Sequence, residues 1–318
     1  MILIISDHHD FSTSKVIDWL IHFRVEWFRL NSESIESFEM KISKEGKVSF
    51  RIVSEGRSFE SEEITHVWYR HGNLTYHVDP VHFPISDKIR NHISYEWKTI
   101  ANYINSILSD LPKIGNPSQG DDLNKIALLA KATAFGLSVP ETIIIDSKAD
   151  LIRFQLKQGR IITKGIQRNP AYTDDHTAYF THTKEVDTEQ VSNAPDYFFP
   201  SIFQELIIKV YEVRVFFLMD TCYAMATFPN STASAIDIRN NQGKFPLRST
   251  PYVLPVKIQN ALIRLMASID LNCGSIDLVV DENDNFYLLE VNAIGQYDDV
   301  SKRCNYQLDR EIAKGLIG

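Results

Sequence analysis

Basic residues are in the minority here: 33 lysines and arginines stand against 41 aspartates and glutamates, a formal net charge of -8. Such a balance lacks the basic footprint of a general nucleic-acid binder, though it leaves room for a small basic groove. Cysteine is scarce. Cys222, Cys273 and Cys304 are far apart and form no metal-ligand pair, and an odd count without a signal peptide fits a reducing cytoplasm. No apolar run approaches the length of a membrane span. The N-terminus, MILIISDHHD, has no basic region and an apolar run of only four residues, so Ile2–Ile5 reads as a first β-strand and not as a targeting segment. A glycine-rich Walker motif is missing, which argues against a P-loop enzyme. There is no internal repeat and no low-complexity tract.

What is present is an ordinary globular mix, 44% hydrophobic and 23% charged over 318 residues, more than one compact core usually takes. Two or three subdomains follow. The first third alternates strand and helix: Ile2–Ser6, an apolar-periodic stretch at Val16–Phe23, and a strand near Glu26–Leu30. A hairpin over Met40–Ser43 and Val48–Val53, a strand at Ile64–Arg70 and a helix at Asp87–Leu108 complete it. After Asn116-Pro117, a helix is expected over Asp121–Phe135, then a strand at Glu141–Asp146, a helix at Lys148–Lys157 and a strand at Ile161–Lys164. Residues 166–200 read as a long polar loop, of the kind that is functional or mobile. The last third is strand-rich: Phe203–Lys209, Glu212–Met219 and Tyr223–Phe228, then a polar segment over 230–249. A helix at Pro255–Ile269, a hairpin of Ser275–Val280 with Phe286–Val291, and a helix at Gln307–Ile317 close the chain.

The strongest chemical signal is that last hairpin, GSIDLVVDENDNFYLLEVNAIGQY, residues 274–297. Side chains two apart on a strand share a face, so Glu290 and Asn292 project together and a hairpin partner brings Asp277 beside them. Two carboxylates and an amide oxygen suit magnesium, which keeps few protein ligands and takes the rest from phosphates and water. The same residues also fit a hairpin whose acids face solvent. Against that, each acid is flanked by Leu, Val or Ile, where an unpaired charge is costly.

An acid on one strand followed by E-x-N on the next resembles the end of the catalytic domain of the ATP-grasp family. The resemblance implies an α/β (α+β) chain with three parts: an N-terminal pre-ATP-grasp domain (residues 1–117), a central subdomain (118–205) and a C-terminal antiparallel-sheet subdomain (206–318). It also implies ATP and two magnesium ions, with Asp277, Glu290 and Asn292 as metal ligands. Lys125, in DDLNKIALLAKATAFGLSVPET, and Lys164, in RIITKGIQRNP, resemble the two lysines that hold the phosphates; Lys131 competes with Lys125. A lysine ammonium is a point charge suited to that work, though either residue alone also fits a solvated surface lysine. FQELIIKVYEVRVFFLMD, residues 203–220, resembles the hinge where adenine bonds backbone groups of Gln204, Glu205, Leu206 and Ile207. Glu205 is then expected at the adenine edge, Glu212 on the ribose hydroxyls, and Arg214 on phosphate or acyl phosphate. A surface Glu–Arg pair is the other reading of the last two.

Three strings narrow the resemblance. The opening MILIISDHHDFSTSKVIDWL, the strand VWYRHG (67–72) and AIDIRNNQGKFPLRSTPYVLP (235–255) resemble graspetide synthetases, ATP-grasp maturases of ribosomal peptides, of the grasp-with-spasm type. That implies phosphorylation of Glu or Asp side chains of a precursor peptide, then attack by a Thr or Ser hydroxyl to form a macrocyclic ester. Arg239 and Arg248 are the expected grips on the substrate carboxylate or the developing oxyanion, because arginine's planar fork matches a carboxylate. They also fit two exposed loop arginines. Asp237 is expected to orient Arg239 or to act as base. A leader segment would dock near Arg168 and Lys157, and a homodimer is the expected assembly. The alternatives are a ligase adding amino acids to a peptide or protein, and a non-catalytic binding module. Retention of Asp277, Glu290, Asn292, Lys125 and Lys164 argues against the latter. His8, His9, His66, His71, His77 and His82 lack metal spacing and read as solvated loop residues, and Trp19, Trp27, Trp68 and Tyr69 as core or sheet-face residues.

Overall fold

The computed structural model describes residues 1–76, 86–117, 123–166, 171–173, 178–180, 183–229 and 247–318. The chain opens with β1 (Ile2–Ser6), α1 (Phe11–His22) and β2 (Trp27–Asn31), followed by a meander of β3 (Ile35–Ile42), β4 (Val48–Ser54) and β5 (Arg57–Glu60). Then come β6 (His66–Tyr69), α2 (Asp87–Ser109) and β7 (Lys113–Ile114). β1, β2, β6 and β7 form a parallel sheet in the order β2-β1-β6-β7. All five residues of β1 are buried, as a strand covered on both faces requires. The first helix begins earlier than its apolar period suggests. Asp10 caps it, accepting from the Ser12 and Thr13 N–H groups, and so extends it over the polar Ser-Thr-Ser turn.

The middle of the chain runs α3 (Lys125–Ala134), β8 (Thr142–Ser147), α4 (Lys148–Gln158) and β9 (Ile161–Lys164). The stretch read as a loop carries regular structure: β10 (Ala171–Thr173), β11 (Ala178–Phe180), β12 (Lys184–Val186) and α5 (Thr188–Asn193) precede β13 (Tyr197–Glu205). β10, β11 and β12 have three residues each, too few to show an apolar period. β10 and β11 form a separate hairpin, and the central sheet runs β12-β9-β13-β8, antiparallel throughout. α3 starts at Lys125, capped by Asn124, rather than at Asp121, which lies outside the described residues.

The last third contains β14 (Lys209–Leu218), β15 (Thr221–Phe228), β16 (Arg248–Tyr252), α6 (Val256–Ser268), β17 (Cys273–Asp281), β18 (Phe286–Asn292), α7 (Asp298–Cys304) and α8 (Leu308–Gly315). Its antiparallel sheet has the order β16-β15-β14-β17-β18. One face packs on α6 and α3 through Val213, Val215, Phe217, Leu278 and Leu288 against Leu128, Leu262 and Met266. Part of the other face, Phe216 and Leu218, packs on Trp68, α1, α7 and α8. The strand expected at Phe203–Lys209 ends at Glu205, so Leu206–Ile208 bridges the central sheet to β14. Among the described residues no helix is long and apolar enough to cross a membrane.

Candidate functional site

β14 alternates, and its alternation places the site. Val213, Val215 and Phe217 point into the core under α6, which leaves Glu212 and Arg214 on the face they share with Phe216 and Leu218. At one end of the strand that face is covered by the N-terminal sheet and α7. At the other end it opens as a cavity of about 420 Å³.

Antiparallel register then brings four charged groups into a row. Arg214 pairs with Asp277 across β14 and β17, and Asp277 with Glu290 across β17 and β18. Arg214 makes a two-pronged contact, Nε donating to Asp277 Oδ1 at 2.8 Å and Nη2 to Oδ2 at 2.9 Å. Lys125 Nζ, at the first turn of α3, donates to Glu290 Oε2 at 2.9 Å. Asn292 Nδ2 donates to Glu290 Oε1 at 3.2 Å. Burial opposes ionisation of Glu290, but the Lys125 ammonium and the Asn292 amide outweigh it and hold the carboxyl at about 2. Asp277 beside Arg214 pushes the guanidinium above its ordinary value. Glu290 thus carries negative charge in a half-buried place, with Lys125 against it and the Arg214–Asp277 pair alongside.

The other expected residues divide. Lys164, at the end of β9, lines the cavity and adds to the field that holds Glu290 ionised. Gln204, Leu206, Ile207 and Glu212 line it as well. Gln204 is 1% exposed; its Nε2 donates to Thr142 Oγ1 at 2.8 Å. Glu205, one residue on, takes the opposite face and accepts from the Glu141 N–H at 3.1 Å, so its side chain does not reach the cavity. The Leu206 N–H is spent on the Arg160 carbonyl at 2.9 Å. Glu212 is ion-paired to Lys209, a side chain only 3% exposed. Lys131 points away, donating to the Ser268 carbonyl at 2.7 Å at the end of α6. Arg248 is not at the cavity wall; its guanidinium lies 5.1 Å from the Phe228 ring centre. Asp237, Arg239, Arg168, His77 and His82 lie outside the described residues. His8 stands 3.5 Å from Glu55 with half of each side chain exposed, as a solvated loop residue does.

Two contributors were not expected. Lys209 sits three residues before Glu212 in KVYE, a spacing that a strand makes across a bulge, and β14 is irregular there. α7 was not foreseen at all; Asp299 and Arg303, bonded at 2.6 Å, line the same cavity. Seven residues with two acids at the start, Asp298 and Asp299, and two bases near the end, Lys302 and Arg303, carry too short an apolar period to announce a helix.

The donor set fits a hard divalent cation. Asp277 and Glu290 face each other across β17 and β18, Asn292 lies beside them, and Lys125 and Arg214 now stand where cationic charge is required. Among the described residues no cluster of three His, Cys, Asp or Glu occurs; magnesium commonly takes several of its ligands from phosphates and water.

No protein-family model matches the sequence, and no curated protein matches it. Solved structures do. A RiPP-associated ATP-grasp ligase of Chryseobacterium gregarium, in complex with ADP and a leader and core peptide, aligns over 99% of this chain and 94% of its own, with a TM-score of 0.81 at 21% identity. Macrocyclase MdnC of Microcystis aeruginosa, bound with precursor peptide MdnA, aligns over 100% and 99%, with a TM-score of 0.80 at 22% identity. The ATP-grasp ligase PsnB, complexed with minimal precursor, Mg and ADP, aligns over 99% and 97%, with a TM-score of 0.70 at 16% identity. The likeness spans the parallel sheet, the central sheet and the five-stranded sheet alike, and this chain has the ATP-grasp fold.

Proposed function

We propose that this chain is an ATP-grasp ligase that matures a ribosomally made peptide. It phosphorylates Glu or Asp side chains of a precursor and links them to Thr or Ser hydroxyls as macrocyclic esters. The observation that carries the ATP-dependent part is the row Arg214–Asp277–Glu290–Lys125 at the wall of one cavity, which also holds Lys164 and Glu212. Support for the peptide comes from the solved neighbours, which are complexed with precursor or with leader and core peptides.

In this reading Asp277, Glu290 and Asn292 would hold two magnesium ions, which would supply charge neutralisation on the phosphates. Lys125 and Lys164 hold phosphate oxygens, and Glu212 takes the ribose hydroxyls. The adenine edge meets the Ile207 N–H and a neighbouring carbonyl of 204–207, since the Glu205 and Leu206 N–H groups are engaged. A substrate carboxylate oxygen attacks the γ-phosphorus, the bond to ADP breaks, and an acyl phosphate results. Arg214 stabilises the charge on the transferring phosphoryl group. A hydroxyl then attacks the acyl carbon, its proton leaves to a base, and phosphate departs. Arg239 grips the carboxylate and then the oxyanion, with Asp237 orienting it. Arg248 is left out of the site because its guanidinium rests on Phe228. Such an enzyme works in the cytoplasm, where its precursor is made, and as a homodimer.

Incubation with ATP, magnesium and a candidate precursor peptide rich in Thr and Glu or Asp, read by mass spectrometry, tests the function. Loss of one water per linkage is the expected result, with the links cleaved by mild base as esters are and amides are not. A gain equal to one added residue would replace the macrocyclase with a ligase of the amino-acid-adding kind.

A further inference from the structure

The buried arginine of VWYRHG plays no part in the site as described so far. Arg70 follows β6 at the C-terminal edge of the parallel sheet and is 6% exposed. A guanidinium at that depth must satisfy its donors, and it does so on two sides. Toward its own sheet, Nε donates to Asp10 Oδ2 at 2.7 Å and to Ser12 Oγ at 3.2 Å, while Nη2 donates to Ser12 Oγ at 2.9 Å. Asp10 is the same residue that caps α1. Toward the C-terminal sheet, Nη1 donates to the Ile294 carbonyl at 2.7 Å and the Gly295 carbonyl at 2.8 Å. The Tyr297 ring lies 5.2 Å from the guanidinium, and its hydroxyl donates to the Ser12 carbonyl at 3.1 Å.

The carbonyls that Arg70 grips belong to the turn that leaves β18. Gly295 N–H donates back to the Asn292 carbonyl at 3.2 Å, closing the turn on Asn292 itself. Gly295 has φ 62° and sits so close to Gly274 that a side chain there would meet the Gly274 backbone at 3.0 Å. The turn is therefore pressed onto β17 from one side and held by Arg70 from the other.

We propose that Arg70 is a positioning residue: through the turn Asn292–Gly295 it fixes Asn292 and, two residues back on the same face, Glu290, in the arrangement that binds the metal–nucleotide. The proposal rests on the function inferred above. The two carbonyls, Asp10 and Ser12 need a planar fork; a lysine ammonium keeps the charge but cannot span both sides at once. Groups that orient metal ligands without touching the metal typically change its affinity by about 10–100-fold when removed.

The test uses the whole chain with Arg70→Lys, and Ser12→Ala as a milder variant that removes one acceptor and no metal ligand. Mn²⁺ binding in the presence of ADP is read by electron paramagnetic resonance, ADP binding without metal by calorimetry, and backbone amide exchange over 290–297 by mass spectrometry. The expected result for Arg70→Lys is Mn²⁺ affinity weaker by about tenfold, with metal-free ADP affinity unchanged and faster exchange over 290–297 but not over β14. Ser12→Ala shifts the same readouts in the same direction by less, and carries the test alone if Arg70→Lys does not fold. Faster exchange with unchanged Mn²⁺ affinity would reduce Arg70 to a structural tie and overturn the proposal, as would parallel loss of metal-free ADP binding. Wild-type protein that binds no Mn²⁺ with ADP would instead overturn the function on which it rests.

Discussion

The five-stranded sheet and the central four-stranded sheet share one cavity but are built to different depths. β14 and β17 are covered on both faces, by α3 and α6 on one side and by the N-terminal sheet with α1, α7 and α8 on part of the other. The central sheet has a core of five buried residues, Leu151, Phe154, Ile161, Val191 and Phe203. Its β8 has no buried residue, and Tyr197 and Phe199 are more than four-fifths exposed. The acids proposed to hold magnesium thus stand on the deeper sheet, and Lys164 on the shallower. A region with few buried apolar contacts opens at lower free energy than the global fold. In the proposed function the deeper sheet would hold the ligand geometry and the shallower one would adjust over the phosphates.

The comparison breaks first at the core. Leu278 is fully buried under α6, and Leu278→Ala is expected to lower unfolding free energy by about 2–5 kcal/mol. Ile144→Ala, on the open face of β8, should change it by about 0.5 kcal/mol or less. Urea unfolding of both variants checks this, and equal losses would mean that the central sheet is as deeply seated as the other.

Glu290→Gln keeps the shape of the side chain and removes its charge. Turnover should fall by about 10²–10³-fold, in the range found when one group stabilising transferred charge is deleted. The folded state should persist by circular dichroism. Unchanged turnover in a folded variant would remove Glu290 from the metal site. Lys164→Met should act more gently, raising the KM for ATP by about tenfold, equivalent to one charge-assisted hydrogen bond, with a smaller effect on kcat. A kcat loss as large as that of Glu290→Gln would make the two sheets equal partners in the chemistry.

The smallest effect is on pH dependence. Glu290 ordinarily titrates at 4.5, and Lys125 and Asn292 hold it at about 2 against the effect of burial. A depressed carboxyl contributes stability that is complete above about 4.5 and is lost as pH falls toward 2. The stability difference between wild type and Glu290→Gln should therefore be flat from pH 8 to 5 and shrink below 4.5. A difference that shrinks between pH 7 and 5 would contradict the Lys125–Glu290 pair.

What was legible in the sequence follows the same divide. The β17–β18 hairpin is readable because strand alternation is a local property, and acids spaced in an apolar run can face only one way. Lys125 was reached only through its resemblance to a phosphate-holding lysine, because the helix was expected from Asp121 and its Asn124 cap went unread. The strand at Phe203–Lys209 was misplaced because Leu206–Ile208 continues the apolar run after pairing has stopped. β10, β11 and β12 have three residues each, below the length at which a period can be counted. Two other features are hidden for a different reason. Arg70 meets Ile294 and Gly295 across more than two hundred residues of chain, and nothing in VWYRHG specifies that contact. Glu205 was expected at the adenine edge, but the face it takes depends on the pairing of Gln204 with Ile162 and Thr142, which no single strand reveals.

The central claim, that this site activates a carboxylate as an acyl phosphate, is open to one direct measurement. The precursor peptide is prepared with heavy oxygen in its Glu and Asp carboxylates, incubated with the enzyme, ATP and magnesium, and the released inorganic phosphate is weighed. The account predicts one heavy oxygen carried from carboxylate to phosphate for every linkage formed. Linkages formed with no heavy oxygen in the phosphate would contradict it.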